Sequence, residues 1–195
     1  MRKQILALVL VMFGIASAIE ATPITYFADL SGADESPPNA SPGSGTAFVT
    51  IDTTAHTLAV SAAFEDLVAN TTAAHIHCCT ATPFSMTAGV ATQTPSFMGF
   101  PLGVTSGTFS NVYDLADPLS YRAEFITSSG GSVAGAEAAL ALGLAEGRAY
   151  FNIHSSMFPG GEIRGFLVPV PEPGTIALIV FGLGTLAAAT RKRRA

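Results

Sequence analysis

Alternation of apolar and polar residues dominates the middle of the chain. In Gly45–Asp52 (GTAFVTID) and Thr57–Phe64 (TLAVSAAF) apolar side chains recur at every second position, the period of a half-buried strand. Asp52–His56 between them is turn-like, so a hairpin is expected there. The same reading places strands at Thr25–Leu30, Ala73–His77, Gly107–Tyr113, Arg148–His154 and Glu162–Val168. Pro37-Pro38 and Pro42-Gly43 punctuate the approach to the first hairpin, and Val90–Leu102, with Gly and Pro scattered through it, reads as a long loop. One segment is helical in character: Val133–Glu146 is rich in Ala and Leu, with Ser132 as N-cap and Gly147 as terminator. Seven short strands between turn signals predict a mainly β domain over residues 22–168, an antiparallel Greek-key-like β-sandwich with one short helix.

The phase of the strands also sorts the chemistry. In Ala73-Ala74-His75-Ile76-His77 a period of two sends His75 and His77 to one face and Ile76 to the other. In Arg148–His154 the apolar set is Ala149, Phe151 and Ile153, so Arg148, Tyr150, Asn152 and His154 share the opposite face. Glu162 and Arg164 likewise face away from Ile163. If these strands are neighbours, the sheet gains a polar face with three imidazoles, an Arg–Glu pair and an Asn. Neutral imidazole is the commonest metal ligand, and His75, His77 and His154 would make a three-histidine site for zinc or copper. The same pattern fits a hydrogen-bonded polar cluster that only orders the sheet.

Cys78 and Cys79 follow directly. Adjacent Cα atoms across a trans peptide lie about 3.8 Å apart, below the usual disulfide range of roughly 4.4–6.8 Å, so a vicinal bridge forces a tight turn. That bridge is the preferred reading, beside free thiols acting as soft metal ligands or as a thiol sensor, and an intermolecular bridge. The chain has no nucleophile elbow, phosphate loop or dinucleotide fingerprint, and no activating base is evident for a catalytic thiol, so no enzyme is expected. Asp34, Glu35, Glu65 and Asp66 match no calcium-loop pattern and read as solvated loop charges.

The two ends differ from this middle. Met1–Lys3 is basic, Ile5–Ala16 is apolar, and Ala16-Ser17-Ala18 supplies small residues, with Ala21 as a second cleavage point. Residues 1–21 therefore read as a signal peptide cut by signal peptidase. At the other end, Thr175–Thr190 is an apolar stretch just short of the roughly 17–25 residues needed to span a bilayer, followed by Arg191-Lys192-Arg193-Arg194. The positive-inside rule holds that terminus in the cytoplasm, giving a protein anchored in the membrane by a C-terminal helix. With the ends set apart, residues 22–168 carry three arginines, no lysine and twelve acids, a net charge of −9. Such a domain repels phosphates, which excludes nucleic acid as a partner. With 49% hydrophobic residues over the whole chain, disorder is excluded as well.

The C-terminal motif carries a resemblance. Val170-Pro171-Glu172-Pro173-Gly174, the apolar stretch and the Arg-rich end together resemble the PEP-CTERM sorting signal of Gram-negative bacteria over residues 169–195. The resemblance implies that Pro171, Glu172 and Pro173 are a processing motif for exosortase, a membrane-embedded transpeptidase, and that the tail is removed. The middle resembles the CHRD domain through Leu30–Pro38 (LSGADESPP), Ala74-His75-Ile76-His77, Tyr150–His154 (YFNIH) and Pro159–Gly165 (PGGEIRG). That resemblance implies a β-sandwich. The chain departs from it at Cys78-Cys79, where many members have Gly. A likeness to copper/zinc superoxide dismutase is thin, because the ligand spacings are missing and the one spare histidine, His56, lies in a turn.

Together these readings describe an exported bacterial protein, sorted by exosortase to the envelope, surface or extracellular matrix. Its expected role is structural or adhesive, with extracellular polysaccharide or matrix as partner. The alternative is a metal-binding protein using His75, His77 and His154.

Overall fold

The structure, a computed structural model, describes residues 22–171. The signal peptide expected over 1–21, Glu172 and Pro173 of the expected processing motif, the apolar stretch over 175–190 and the basic tail over 191–195 lie outside the described residues. Among the described residues no helix is long and apolar enough to cross a membrane.

Strands β1 (Ile24–Ser31), β2 (Ser44–Asp52) and β3 (Thr57–Glu65) form a meander. In β2, Ala47, Val49 and Ile51 point inward and are buried, while Phe48 between them is exposed; β3 repeats this with Leu58, Val60, Ala62 and Phe64. The β2–β3 turn is closed by the Asp52 carboxylate, whose Oδ1 accepts from the N–H groups of Thr54 and Ala55, both at 2.9 Å. His56 completes it in the left-handed region at φ 54°. Strands β4 (Thr71–Cys78), β5 (Gly107–Asp114), β6 (Ala149–Ser155), β7 (Ile163–Phe166) and β8 (Val168–Pro169) complete the sheet. The segment expected as one strand over Glu162–Val168 is two pieces, interrupted at Leu167.

The sandwich expectation is corrected. The strands run β4-β6-β7-β1-β2-β3-β5 in one antiparallel sheet, with β8 beside β1. The reason lies in β1, which bonds β2 along its whole length and also pairs with β7 and β8 on its other edge. What would have been two layers is therefore one ladder, curled into a half-barrel around its own apolar face. The expected single helix becomes two, α1 (Ala123–Ser128) and α2 (Val133–Ala145). The six residues of α1 are too few for a 3.6-residue period to show in sequence. Helix α2 is capped as expected, Ser132 Oγ accepting from Gly135 N–H at 3.1 Å and Gly147 ending it at φ 66°.

The concave side is filled by Ala136, Leu140 and Leu144 of α2 and by Phe97 and Phe100 from the Val90–Leu102 loop. That loop runs along the free edge of β4. Ala91 N–H donates to Ile76 O at 2.9 Å and Phe97 N–H to Ala74 O at 3.1 Å. Phe97 then bridges the curl, with ring centroids 6.0 Å from Phe151 in β6 and 5.2 Å from Tyr113 in β5. Cys78 and Cys79 are joined as a disulfide across a cis peptide, their Cα atoms 3.0 Å apart. Gly143 of α2 packs on these sulfurs; a Cβ there would collide with Cys78 Sγ and lie 2.6 Å from Cys79 Sγ.

Because Phe97 touches both ends of the curled sheet, Phe97→Ala should cost about 3–5 kcal/mol in chemical denaturation. Val112→Thr, on the outward face of β5 at 62% exposure, should stay within about 0.5 kcal/mol. Equal effects from the two would contradict the bridging role.

Candidate metal centre

Strands β4 and β6 pair with His77 opposite Tyr150, His75 opposite Asn152 and Ala73 opposite His154. The apolar residues Ala74, Ile76, Phe151 and Ile153 turn to the core, so the three histidines stand together on the outer face of the sheet. Their ring centroids are 5.2 Å (His75–His154), 5.6 Å (His77–His154) and 5.8 Å (His75–His77) apart. One ring nitrogen from each lies within 4.8 Å of the other two.

An outer face normally meets water, yet these rings are only 6–8% exposed. Loops cover them and are fastened to the rings. His75 Nε2 donates to Pro95 O at 2.8 Å, His77 Nδ1 to Ala88 O at 3.0 Å and His154 Nδ1 to Pro159 O at 3.0 Å. A carbonyl only accepts, so each bond fixes the tautomer. The remaining nitrogens, His75 Nδ1, His77 Nε2 and His154 Nε2, are buried lone pairs with no hydrogen-bond partner in the protein.

Burial holds all three imidazoles neutral. Desolvation, reinforced by His154 and opposed by the Pro95 bond, lowers His75 to about 4. Desolvation also lowers His77 to about 4, against the Ala88 bond and with smaller contributions from His154, His75 and Arg164. His154 is lowered by the same cause. A neutral imidazole with one N–H on a backbone carbonyl and its other nitrogen bare is the form that binds a metal.

Around the rings lies a second polar shell. Tyr150 stacks on His77 at 4.8 Å and 7°, and its hydroxyl is 3.3 Å from both the N–H and the carbonyl of Ala88. The Arg164 guanidinium sits 4.8 Å over the other ring system of that stack, Tyr150. Its Nε donates to Asp34 O and lies 3.8 Å from Glu35 Oε2. Glu35 is thus not a solvated loop charge, as expected from sequence. It is 7% exposed and raised to about 7 by burial, against the pull of Arg164. Gly161, at φ 132°, makes room for it; a Cβ there would lie 2.5 Å from Glu35 Oε1 and collide with the Asn152 amide.

The expected Arg–Glu pair is likewise corrected. Glu162 does not meet Arg164. It is fully buried beneath two loops, its Oε1 accepting from Ser41 Oγ at 2.7 Å and Val68 N–H at 2.6 Å. Arg148 leaves the polar face as well, bonding Thr80 O and Glu146 at the end of the strand. His56 is remote from the three, 2.8 Å from Glu137 on α2. Pro171 lies just past β8. Sequence reasoning missed Glu35 and the carbonyls of Ala88, Pro95 and Pro159. The motif around Pro37-Pro38 was a signal for the first; backbone acceptors leave none in a side-chain pattern.

The CHRD domain family matches residues 26–167, and the PEP-CTERM protein-sorting motif matches residues 169–194. No curated protein and no solved structure matches the chain. The sorting motif marks the protein for export and for sorting by exosortase to the envelope or beyond it.

The titrations fix the acid side of the stability curve. Each histidine is depressed in the folded state, so its contribution is complete above about 6.5 and is lost as pH falls, for His75 and His77 towards 4. Glu35 is raised and acts oppositely, losing stabilisation as pH rises towards 7. In metal-free protein the slope of stability against pH between about 4.5 and 6.5 should therefore be positive, the three histidines together outweighing Glu35. Urea titrations across that window should show it, and His75→Ala/His77→Ala/His154→Ala should reverse its sign.

Proposed function

The chain belongs to the CHRD family, and we propose that it is an exported envelope or matrix protein that binds one transition-metal ion through His75, His77 and His154. One observation carries this reading: three neutral imidazoles, each anchored by one N–H and each with a bare nitrogen, stand together in a buried place, one ring nitrogen of each within 4.8 Å of the others. A purely structural cluster would satisfy those nitrogens, since a buried unpaired acceptor costs about 1–3 kcal/mol. The ligands would be His75 Nδ1, His77 Nε2 and His154 Nε2. Tetrahedral coordination at about 2.0–2.1 Å sets nitrogens about 3.3 Å apart, so ring nitrogens now within 4.8 Å of one another close by an ångström or so. The role is binding rather than catalysis.

A structural or adhesive role is the second reading. The outward face of β1, β2, β3 and β5 carries an open groove of about 670 Å³ lined by Asp29, Ser44, Thr46, Glu65 and Thr108. Beside it Phe27 and Phe48 pair at 4.9 Å, with Phe48 45% exposed. Hydroxyls, carboxylates and an aromatic face suit an extracellular polysaccharide.

Metal analysis of the exported protein decides between the two. About one equivalent of zinc or copper in the parent, and none in the folded triple-alanine variant, is the expected outcome. Neither binding metal would make the histidines structural and favour the adhesive role. Separately, intact mass of the mature protein should show loss of residues beyond about Pro173 in a host with exosortase; retention of the full tail would overturn the processing.

A further inference from the structure

Which ion the histidines take follows from charge and coordination number, granted the metal-binding reading above. All three donors are neutral. The groups behind them are neutral too, since Pro95, Ala88 and Pro159 offer backbone carbonyls. In many histidine sites a carboxylate in that position offsets part of a divalent ion's charge. Here Arg164 lies over Tyr150, which stacks on His77, and among the described residues no Asp, Glu or Cys joins the cluster of three histidines. The carboxylate near this arginine is tied to it, Glu35 at 3.8 Å from Arg164.

Coordination points the same way. Zinc takes a fourth ligand, a water or hydroxide where the protein gives three. The three bare nitrogens are enclosed by loops, and the Cys78–Cys79 disulfide packs on α2 and Gly143, with the inward residues of β4. Copper(I), a d¹⁰ ion of single charge, is content with three nitrogens in a trigonal arrangement. We infer that His75, His77 and His154 form a three-coordinate site for a monovalent soft cation, copper(I), and select against zinc(II).

The test offers the mature protein equimolar copper(I), kept reduced with ascorbate, and zinc(II) at pH 8, where Glu35 is ionised, followed by metal analysis of the desalted protein. Copper at about one equivalent with zinc excluded is expected, and silver(I), monovalent and redox-inert, should replace copper one for one. Zinc retained in preference to copper overturns the selectivity but leaves the metal site standing. No retention of any of the three ions by folded protein overturns the site itself. The Glu35→Gln variant removes the counter-charge of Arg164 without changing shape. Because Coulomb energy scales with ion charge, it should weaken zinc by about tenfold and silver(I) by about threefold in chelator competition. Glu35→Gln/Arg164→Met should return both to near the parent values. Equal weakening of the two ions by Glu35→Gln would refute the electrostatic account.

Discussion

Three imidazole N–H groups, each donating to a backbone carbonyl, hold the outer side of this domain together. Together with the backbone bonds along the edge of β4, they draw the segments at Ala88, Pro95 and Pro159 over β4 and β6. Without that cover those strands would be wet on one face, like β2 and β3. With it, β6 is buried from Ala149 to Ser155 on both faces. The bonds also fix the tautomers and fasten the covering loops, whose burial of the rings keeps them neutral. The folding of the loops and the preparation of the candidate centre are thus one event.

The second constraint is the continuity of the sheet through β1. Because β7 and β8 attach to the same strand that begins the β1–β2–β3 meander, the polar shell of Tyr150, Asn152 and Arg164 is carried on the ladder that also carries the core. Arg164 is reached from Glu35 in the 3₁₀ turn that leaves β1, so the start and the end of the domain meet beside the histidines. A surface role for those acids would have left the guanidinium buried without an anion, a costly arrangement.

Much of this was legible in the sequence, for a physical reason. Alternation with a period of two reports which side chains share a face, so the strands and the common face of His75, His77 and His154 could be read directly. Alternation says nothing about what lies above a face. The burial of the histidines, their carbonyl partners and the enclosure of Glu35 depend on loops whose paths are set by tertiary contacts. For the same reason seven strands read equally well as two layers or one curled sheet. Only the pairing of β1 with β7 and β8, a contact between residues more than a hundred apart, separates the two. Phe97 illustrates the limit: within an irregular, Gly- and Pro-broken segment nothing marks it as the residue that spans the curl.

Strand β4 differs from the others in having no idle side. Its inward residues meet the core and its terminal disulfide rests against a glycine of α2, while its outward residues hold the histidine cluster. A helix that slid along its axis by one residue would bring a side chain against the sulfurs, so α2 and β4 are keyed in register. Local opening of either face must therefore disturb the other, and the interior helix and the outer cluster belong to one cooperative unit. Any ion bound outside would be felt as rigidity within.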